Sequence, residues 1–342
     1  MTRQALVVTT VASPTPVLEA LATAAQRHRV PFVCVGDVSS PEGFALPGCE
    51  YYDIARQREL PFELARVCPT RHYARKNIGY LVAMAAGASV ILETDDDSVV
   101  DDAFWRLQPR THHGRTITVR GWFNAYRLFT RGDIWPRGFP LDAAMARPMP
   151  EAVVDGTGDC PIQQALIDGD PDVDAVYRML FALPFRFERR PSVALGAGAW
   201  CPFNSQNTTW WRDAFPLMYL PATCAFRLTD IWRSFVAQRI AWANGWSVLF
   251  RAPTLRQQRN PHDLTQDFAQ EVGGYLENRA ICDALEALEI EPGVECLAAN
   301  LRRAYELMVE RGWLAEPELL LLDAWLADVT AVLGPVAAGA GA

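Results

Sequence analysis

Three consecutive carboxylates, Asp95, Asp96 and Asp97, follow the short apolar run Val90-Ile-Leu and the pair Glu93-Thr94. Charges of one sign this close repel one another and lose hydration when crowded, and a divalent cation offsets both costs. Such an ion typically takes one or two protein carboxylates and fills its shell from substrate phosphates. The chemistry on offer is metal-assisted handling of a diphosphate, with Mn²⁺ or Mg²⁺ on Asp95 and Asp97 and with Asp96 turned to ribose or sugar. A solvated acidic turn is the plain alternative. A second signal is Lys76, the only lysine in the chain, between Arg75 and Asn77. Basic side chains at a helix start oppose the helix dipole, so phosphate or ribose contact explains them better than helix stability does. A solvated basic face is the competing reading.

The elements that must position these residues read as an α/β sheet. Val90 to Leu92 fits a buried parallel strand with the acids at its carboxyl end, the edge where such sheets bind ligands. Ala5 to Thr10, the helical period of Pro16 to Arg29 and Phe32 to Gly36 open a β-α-β unit, which brings Thr9, Thr10 and Asp37 to the same edge. A nucleotide's base and ribose would sit there. Cys49 to Asp53 reads as a third strand, and Arg71 to Gly87 as a helix closed by Gly87. Neither G-x-G-x-x-G nor G-x-x-x-x-G-K-[ST] follows the first strand, which argues against a dinucleotide cofactor and a P-loop.

Further along, Ile117 to Val119 reads as a strand and Arg137-Gly-Phe-Pro-Leu141 as a turn. Asp155 to Pro161 reads as a flexible entry to a helix over Ile162 to Ile167. Asp168 to Asp174 is an acidic loop facing substrate; Val173 and Met179 occupy the positions where a calcium loop needs Gly and Glu. Trp200 to Trp211 mixes aromatic rings with Asn and Ser, as sugar recognition does, although the rings serve equally well as core. Thr229 to Ala243, ended by Gly245, is a helix with Asp230 in its first turn. Asp230 is the candidate base for an acceptor hydroxyl and Asp174 the reserve, against the reading of Asp230 as an ordinary dipole partner. Trp246 to Phe250 is a last strand. Asn260 and Pro261 start a helix, and His262 is a further metal ligand or a surface side chain. Three amphipathic helices from Asp267 to Leu333 precede a disordered tail.

With 342 residues, half of them hydrophobic, and a net charge of −8, the chain is globular and poorly suited to nucleic acid or an anionic membrane as main partner. Its eight cysteines form no C-x-x-C pair, the expectation for reduced thiols. A first strand at the very start leaves no room for a signal peptide, and no apolar run reaches membrane-spanning length, so a cytoplasmic location is expected. The expected division is residues 1–255 (nucleotide half about 1–100, acceptor half about 101–255), a helical extension over 256–334, and a tail over 335–342. Homo-oligomerisation stays open.

Six motifs carry a family resemblance: Ala74-Arg-Lys-Asn-Ile-Gly-Tyr80, Thr94-Asp-Asp-Asp97, Asp170-Pro-Asp-Val-Asp-Ala-Val-Tyr-Arg178, Pro202-Phe-Asn-Ser-Gln-Asn207, Thr229-Asp-Ile-Trp-Arg233 and Arg259-Asn-Pro-His-Asp263. In this order, over roughly residues 70–275, the chain resembles the STELLO-type glycosyltransferase-like family, known as the lumenal domain of plant Golgi membrane proteins. More distantly, the triple Asp and Arg137-Gly-Phe-Pro140 are similar to the reversibly glycosylated polypeptides, the UDP-arabinopyranose mutase family, which implies Arg137 as a self-glycosylation site. The resemblance implies a GT-A fold, a mixed sheet flanked by helices with the Asp triad as the D-x-D equivalent. It implies transfer of a sugar from a nucleotide-diphosphate donor, UDP-sugar above all, to a sugar, glycan or small-molecule acceptor. A nucleotidyltransferase would carry a Gly-rich basic loop where Val11 to Pro16 stand. A sugar-nucleotide mutase or a non-catalytic binder would keep the nucleotide residues. A HAD-type phosphatase would place an Asp after the first strand.

Overall fold

The computed structural model describes residues 2–147, 152–259 and 263–334. The expected helix start at Asn260 and Pro261, the expected metal ligand His262 and the tail 335–342 lie outside the described residues. Two compact units divide the chain: Met1–Asp96 with Trp210–Cys224 and Glu289–Ala342, and Asp97–Thr209 with Ala225–Leu288. This is not the expected division after residue 255, because the last two helices group with the N-terminal residues.

The first unit opens as its sequence implies. β1 (Gln4–Thr9), α1 (Pro16–His28) and β2 (Phe32–Val35) make a β-α-β unit, and β3 (Glu50–Tyr52) pairs with β2. Thr15 caps α1 by accepting from Leu18 N at 3.2 Å, and Pro16 takes a first-turn position where its missing N–H costs nothing. Two short helices, α2 (Ile54–Arg58) and α3 (Glu63–Val67), precede a 3₁₀ turn at Tyr73–Arg75 that runs directly into α4 (Lys76–Ala85). Lys76 through Met84 are all buried. Gly79 allows this, since a Cβ there would meet Val7 at 2.7 Å and Val35 at 2.8 Å. β4 (Val90–Thr94) then pairs with β1, giving the all-parallel order β3-β2-β1-β4 with every carboxyl end on one edge.

The second unit is mixed. It holds β5 (Ser98–Val100), β6 (Thr111–Ile117), β7 (Gly121–Trp122), β8 (Val153–Gly169), α5 (Ala175–Leu180), β9 (Val193–Leu195) and β10 (Ala199–Trp200). Within β11 (Asn207–Trp211) the chain passes to the first unit, and it returns for α6 (Thr229–Ala243), β12 (Trp246–Gln257) and α7 (Leu264–Ala287). β8 corrects the expected loop and helix over Asp155 to Ile167: the whole stretch is one strand, antiparallel to β6 and parallel to β12. Cys160 to Ile167 are buried on both faces, so the run carries no period-2 signature that would separate it from a buried helix. β9 joins β12 to β6, closing four strands around Cys160, Ala194 and Leu249. The strand expected at Ile117 to Val119 ends at Ile117 instead. α6 matches its expected span, with Gly245 at φ +68° after it. α7 begins at Leu264 because Asp263 caps it, accepting from Thr265 N at 2.9 Å and Gln266 N at 3.3 Å.

α8 (Leu297–Glu310) and α9 (Pro317–Leu333) complete the expected C-terminal helices and pack in the first unit. On α9, Asp328 accepts from Glu63 N at 2.9 Å and Leu64 N at 2.8 Å, a carboxylate at the start of α3. The expected class, a mixed α/β sheet flanked by helices with a helical C-terminal stretch, is what the chain forms. Among the described residues no helix is long and apolar enough to cross a membrane.

Glu318, fully buried at the start of α9, accepts from Tyr219 Oη (2.5 Å), Ala222 N (3.0 Å), Thr223 N (2.8 Å) and Thr223 Oγ1 (2.7 Å). Glu318→Ala strands these donors and is expected to cost about 3 kcal/mol in denaturant unfolding, with Glu318→Gln losing less. A loss no larger than that of an exposed substitution would contradict the clamp.

Candidate functional site

The ends of β1, β2 and β4 are tied together by side chains. The Thr10 hydroxyl donates to Asp96 Oδ2 at 2.5 Å and accepts from Ala12 N at 3.1 Å, one residue beyond Thr9, where β1 ends. Asp37 accepts from Val38 N at 2.6 Å and His72 N at 3.0 Å, so its carboxylate holds two backbone segments in place. Ser40 Oγ accepts from Asp37 N at 2.9 Å and donates to Thr10 O at 3.0 Å. Burial pushes the Asp96 carboxyl up, with the Thr10 hydrogen bond pulling the other way.

Lys76 is the centre of this edge. Its side chain is 0% exposed, and Nζ donates to Tyr73 Oη at 2.8 Å, to Thr94 O at 2.8 Å and to Asp95 Oδ1 at 3.2 Å. An ammonium's hydrogens are strong donors, and these acceptors meet them. Tyr73 Oη in turn donates to Asp95 Oδ1 at 2.8 Å. Arg75 and Asn77, expected beside it on phosphate, point into the fold. Arg75 bonds Gln57 Oε1 and the carbonyls of Cys68 and Pro69, while Asn77 exchanges two 2.9 Å bonds with the backbone of Leu220. Behind the acids, buried Glu93 accepts from Tyr80 Oη and from Trp210 Nε1.

Among the described residues no group of three or more His, Cys, Asp or Glu side chains is arranged to hold a metal. A protein-only cage therefore does not fit. Asp95 stays 22% exposed, its Oδ1 is fixed by Tyr73 and Lys76, and among the described residues its Oδ2 accepts no hydrogen bond, so one oriented carboxylate oxygen would be free to meet an ion whose other ligands came from a bound molecule. Asp97, the next residue but one, accepts from Gln257 Nε2 at 3.2 and 3.0 Å.

In the second unit the candidate bases are buried and engaged in hydrogen bonds. Arg137 is buried between two carboxylates, donating to Asp172 at 2.7 and 3.0 Å and to Asp230 at 3.1 and 3.0 Å. Ser205 N and Oγ each add a 3.2 Å bond to Asp230 Oδ2. Burial alone would raise the Asp230 carboxyl, but the Arg137 charge and hydrogen bonds outweigh it and hold the group below its ordinary value. A guanidinium so enclosed is not presented to a donor, which corrects the self-glycosylation that resemblance implied for Arg137. Asp174 caps α5, accepting from Tyr177 N at 2.7 Å and Trp135 Nε1 at 2.6 Å, and burial pushes its carboxyl up to about 6.

Two expected recognition segments turn inward as well. Trp200, Phe203, Asn204 and Trp210 are at most 2% exposed, so the aromatic stretch is core and not a sugar platform. In the acidic loop, Asp172 pairs with Arg137 and Asp170 with Arg178. Tyr73 was the residue missing from the sequence expectation. Its position three residues before Lys76, neighbours on one helical face, is the signal that pointed to it.

This geometry makes the chain an α/β protein with a parallel, acid-tipped sheet edge, and comparison with known proteins shows what it is similar to. Residues 227–334 match the family model described as STELLO glycosyltransferases. The chain is 28% identical over 324 residues to the probable glycosyltransferase STELLO1 of Arabidopsis thaliana and 28% identical over 333 residues to STELLO2. Each alignment covers 88% of this chain and 41% of the relative, so the chain spans well under half their length. The chain is thus similar to the STELLO-type glycosyltransferases, in line with the resemblance carried by its motifs. A solved structure described as a mycobacterial protein aligns over 81% of this chain and 74% of its own at 9% identity and a TM-score of 0.40.

The raised Asp174 carboxyl has a signed consequence. Its folded value of about 6 lies above the ordinary aspartate value of 3.8, so the folded state holds a proton between them and this group's contribution to stability falls as pH rises through that window. Asp174→Asn keeps a capping side chain without the charge. Denaturant unfolding should show it flatter than the native protein between pH 4 and 6 and relatively more stable above pH 6, by on the order of 2 kcal/mol. Parallel profiles for the two proteins would refute this.

Proposed function

We propose that the protein transfers a sugar from a nucleotide-diphosphate donor, a UDP-sugar by preference, to a hydroxyl acceptor, with Mn²⁺ or Mg²⁺ required. The observation that carries this reading is the Asp95 carboxylate, fixed on one oxygen by Lys76 and Tyr73 and open on the other at the carboxyl edge of a parallel sheet. The family match supports the transferase class.

A bound divalent ion would neutralise the charge that develops on the departing diphosphate. The protein's own part begins with Asp95, which offers its open oxygen to the ion, with Asp97 as the second expected ligand. Asp96, anchored by Thr10, faces ribose or donor sugar, and Thr9, Thr10 and Asp37 shape the turn that receives the nucleoside. Lys76 acts through Asp95 and the Thr94 carbonyl and not by touching phosphate, because its ammonium is fully enclosed. Arg75 and Asn77 keep α4 seated beneath it.

For inverting transfer, a carboxylate must take the acceptor proton, and a value nearer neutrality suits that work. Asp230 is kept ionised by Arg137 and serves to hold it, and Asp174 is 0% exposed with both oxygens accepting hydrogen bonds, so this reading assigns the base to neither.

Calorimetry of UDP binding with and without Mn²⁺ tests the proposal. UDP should bind in the presence of Mn²⁺, and Asp95→Asn should weaken that binding by about 10- to 100-fold while the far-UV dichroism stays native. Equal UDP affinity in the native protein and Asp95→Asn, or affinity indifferent to Mn²⁺, would refute it.

A further inference from the structure

Strand β12 carries a charge that no described residue pairs. Arg251 is 6% exposed, and among the described residues it has no hydrogen-bond or ion-pair partner. Other buried arginines are matched: Arg75 by Gln57 and two carbonyls, Arg137 by two carboxylates and Arg178 by Asp170. Burial draws the Arg251 guanidinium down to about 10, which still leaves it charged at neutral pH. A buried charge with no countercharge is strongly unfavourable, and a bound anion removes that penalty.

A second unmet group lies on the neighbouring strand. In the parallel register of β8 and β12, Leu249 pairs with Gln163 and Arg251 with Ala165, so Gln163 and Arg251 lie on one face, diagonally placed two residues apart along the paired strands. Gln163 Nε2 donates to Pro109 O at 3.1 Å and Cys160 O at 3.3 Å, while its Oε1 is buried with no donor. A fork of N–H donors next to an acceptor that lacks a proton suits an oxyanion that still carries a hydroxyl.

We propose that Arg251 and Gln163 form a binding site for a hydrogen phosphate group, supplied by the free ion or by a phosphorylated small molecule. The site lies wholly in the second unit and does not depend on the proposed sugar transfer. The guanidinium takes two phosphate oxygens and the P–OH donates to Gln163 Oε1. Sulfate has the same shape and no proton at this pH, so it leaves Gln163 unmet.

The test is calorimetry on the full chain at pH 6.0 with inorganic phosphate, glucose 1-phosphate and sulfate. At least one of the two phosphates should bind, the tighter one identifying the source, with sulfate about tenfold weaker or worse. Arg251→Met should abolish phosphate binding. Binding undiminished in Arg251→Met, sulfate equal to phosphate, or no binding of either phosphate by the native chain would each overturn the site. Should Arg251→Met fail to fold, Arg251→Lys keeps the charge and loses the fork. It should weaken phosphate about tenfold, and unchanged affinity there would overturn the site equally.

Discussion

A single enclosed ammonium organises the candidate site. Removing Lys76 from water is costly unless its hydrogens find acceptors, and the Tyr73 hydroxyl, the Thr94 carbonyl and the Asp95 carboxylate are among those the fold supplies. Meeting that demand locks the start of α4 onto the last residue of β4. Gly79 lets the helix come close enough, Arg75 and Asn77 hold its flanks, and Asp95 is left with one oxygen committed and one available. A guanidinium would bring a planar fork in place of a compact ammonium, which gives a physical reason for one lysine in a chain whose other basic residues are arginines.

The second unit follows a related rule with arginine. Arg137 sits between Asp172 and Asp230, and Asp230 also binds Ser205, so the turn at Gly138, the loop after β8 and the first turn of α6 share one buried network. Gly138 has φ +83° and lies where a Cβ would meet Ile231 at 2.4 Å, so the turn can reach α6 only as glycine. Arginine between paired carboxylates specifies an arrangement more than it adds stability, since removing one partner exposes the others to the full cost of burial.

The sequence made the parallel strands, the acid-tipped edge, α6 with its terminating glycine and the C-terminal helices legible, because each carries local signals: apolar runs of strand length, caps, and a helical period. It did not reveal β8. There Gly156, Gly158 and Pro161 read as loop, yet the strand is held by partners on both sides, and Gly158 lies against Ala194 and Ser247. The site residues divide the same way. Lys76 and Asp95 stood out by rarity and by position, whereas the roles of Arg75, Asn77, Asp37 and Asp230 depend on partners far away in sequence that no spacing rule reaches. The aromatic stretch over Trp200 to Trp211 was ambiguous between recognition and core, and burial decided for core.

The most direct measurement of the central claim is a crystal structure of the protein with Mn²⁺ and UDP. Manganese is expected on Asp95 Oδ2 and the diphosphate, with Lys76 and Tyr73 still on Oδ1. Manganese and UDP bound away from Asp95, with its carboxylate turned to solvent, would contradict it.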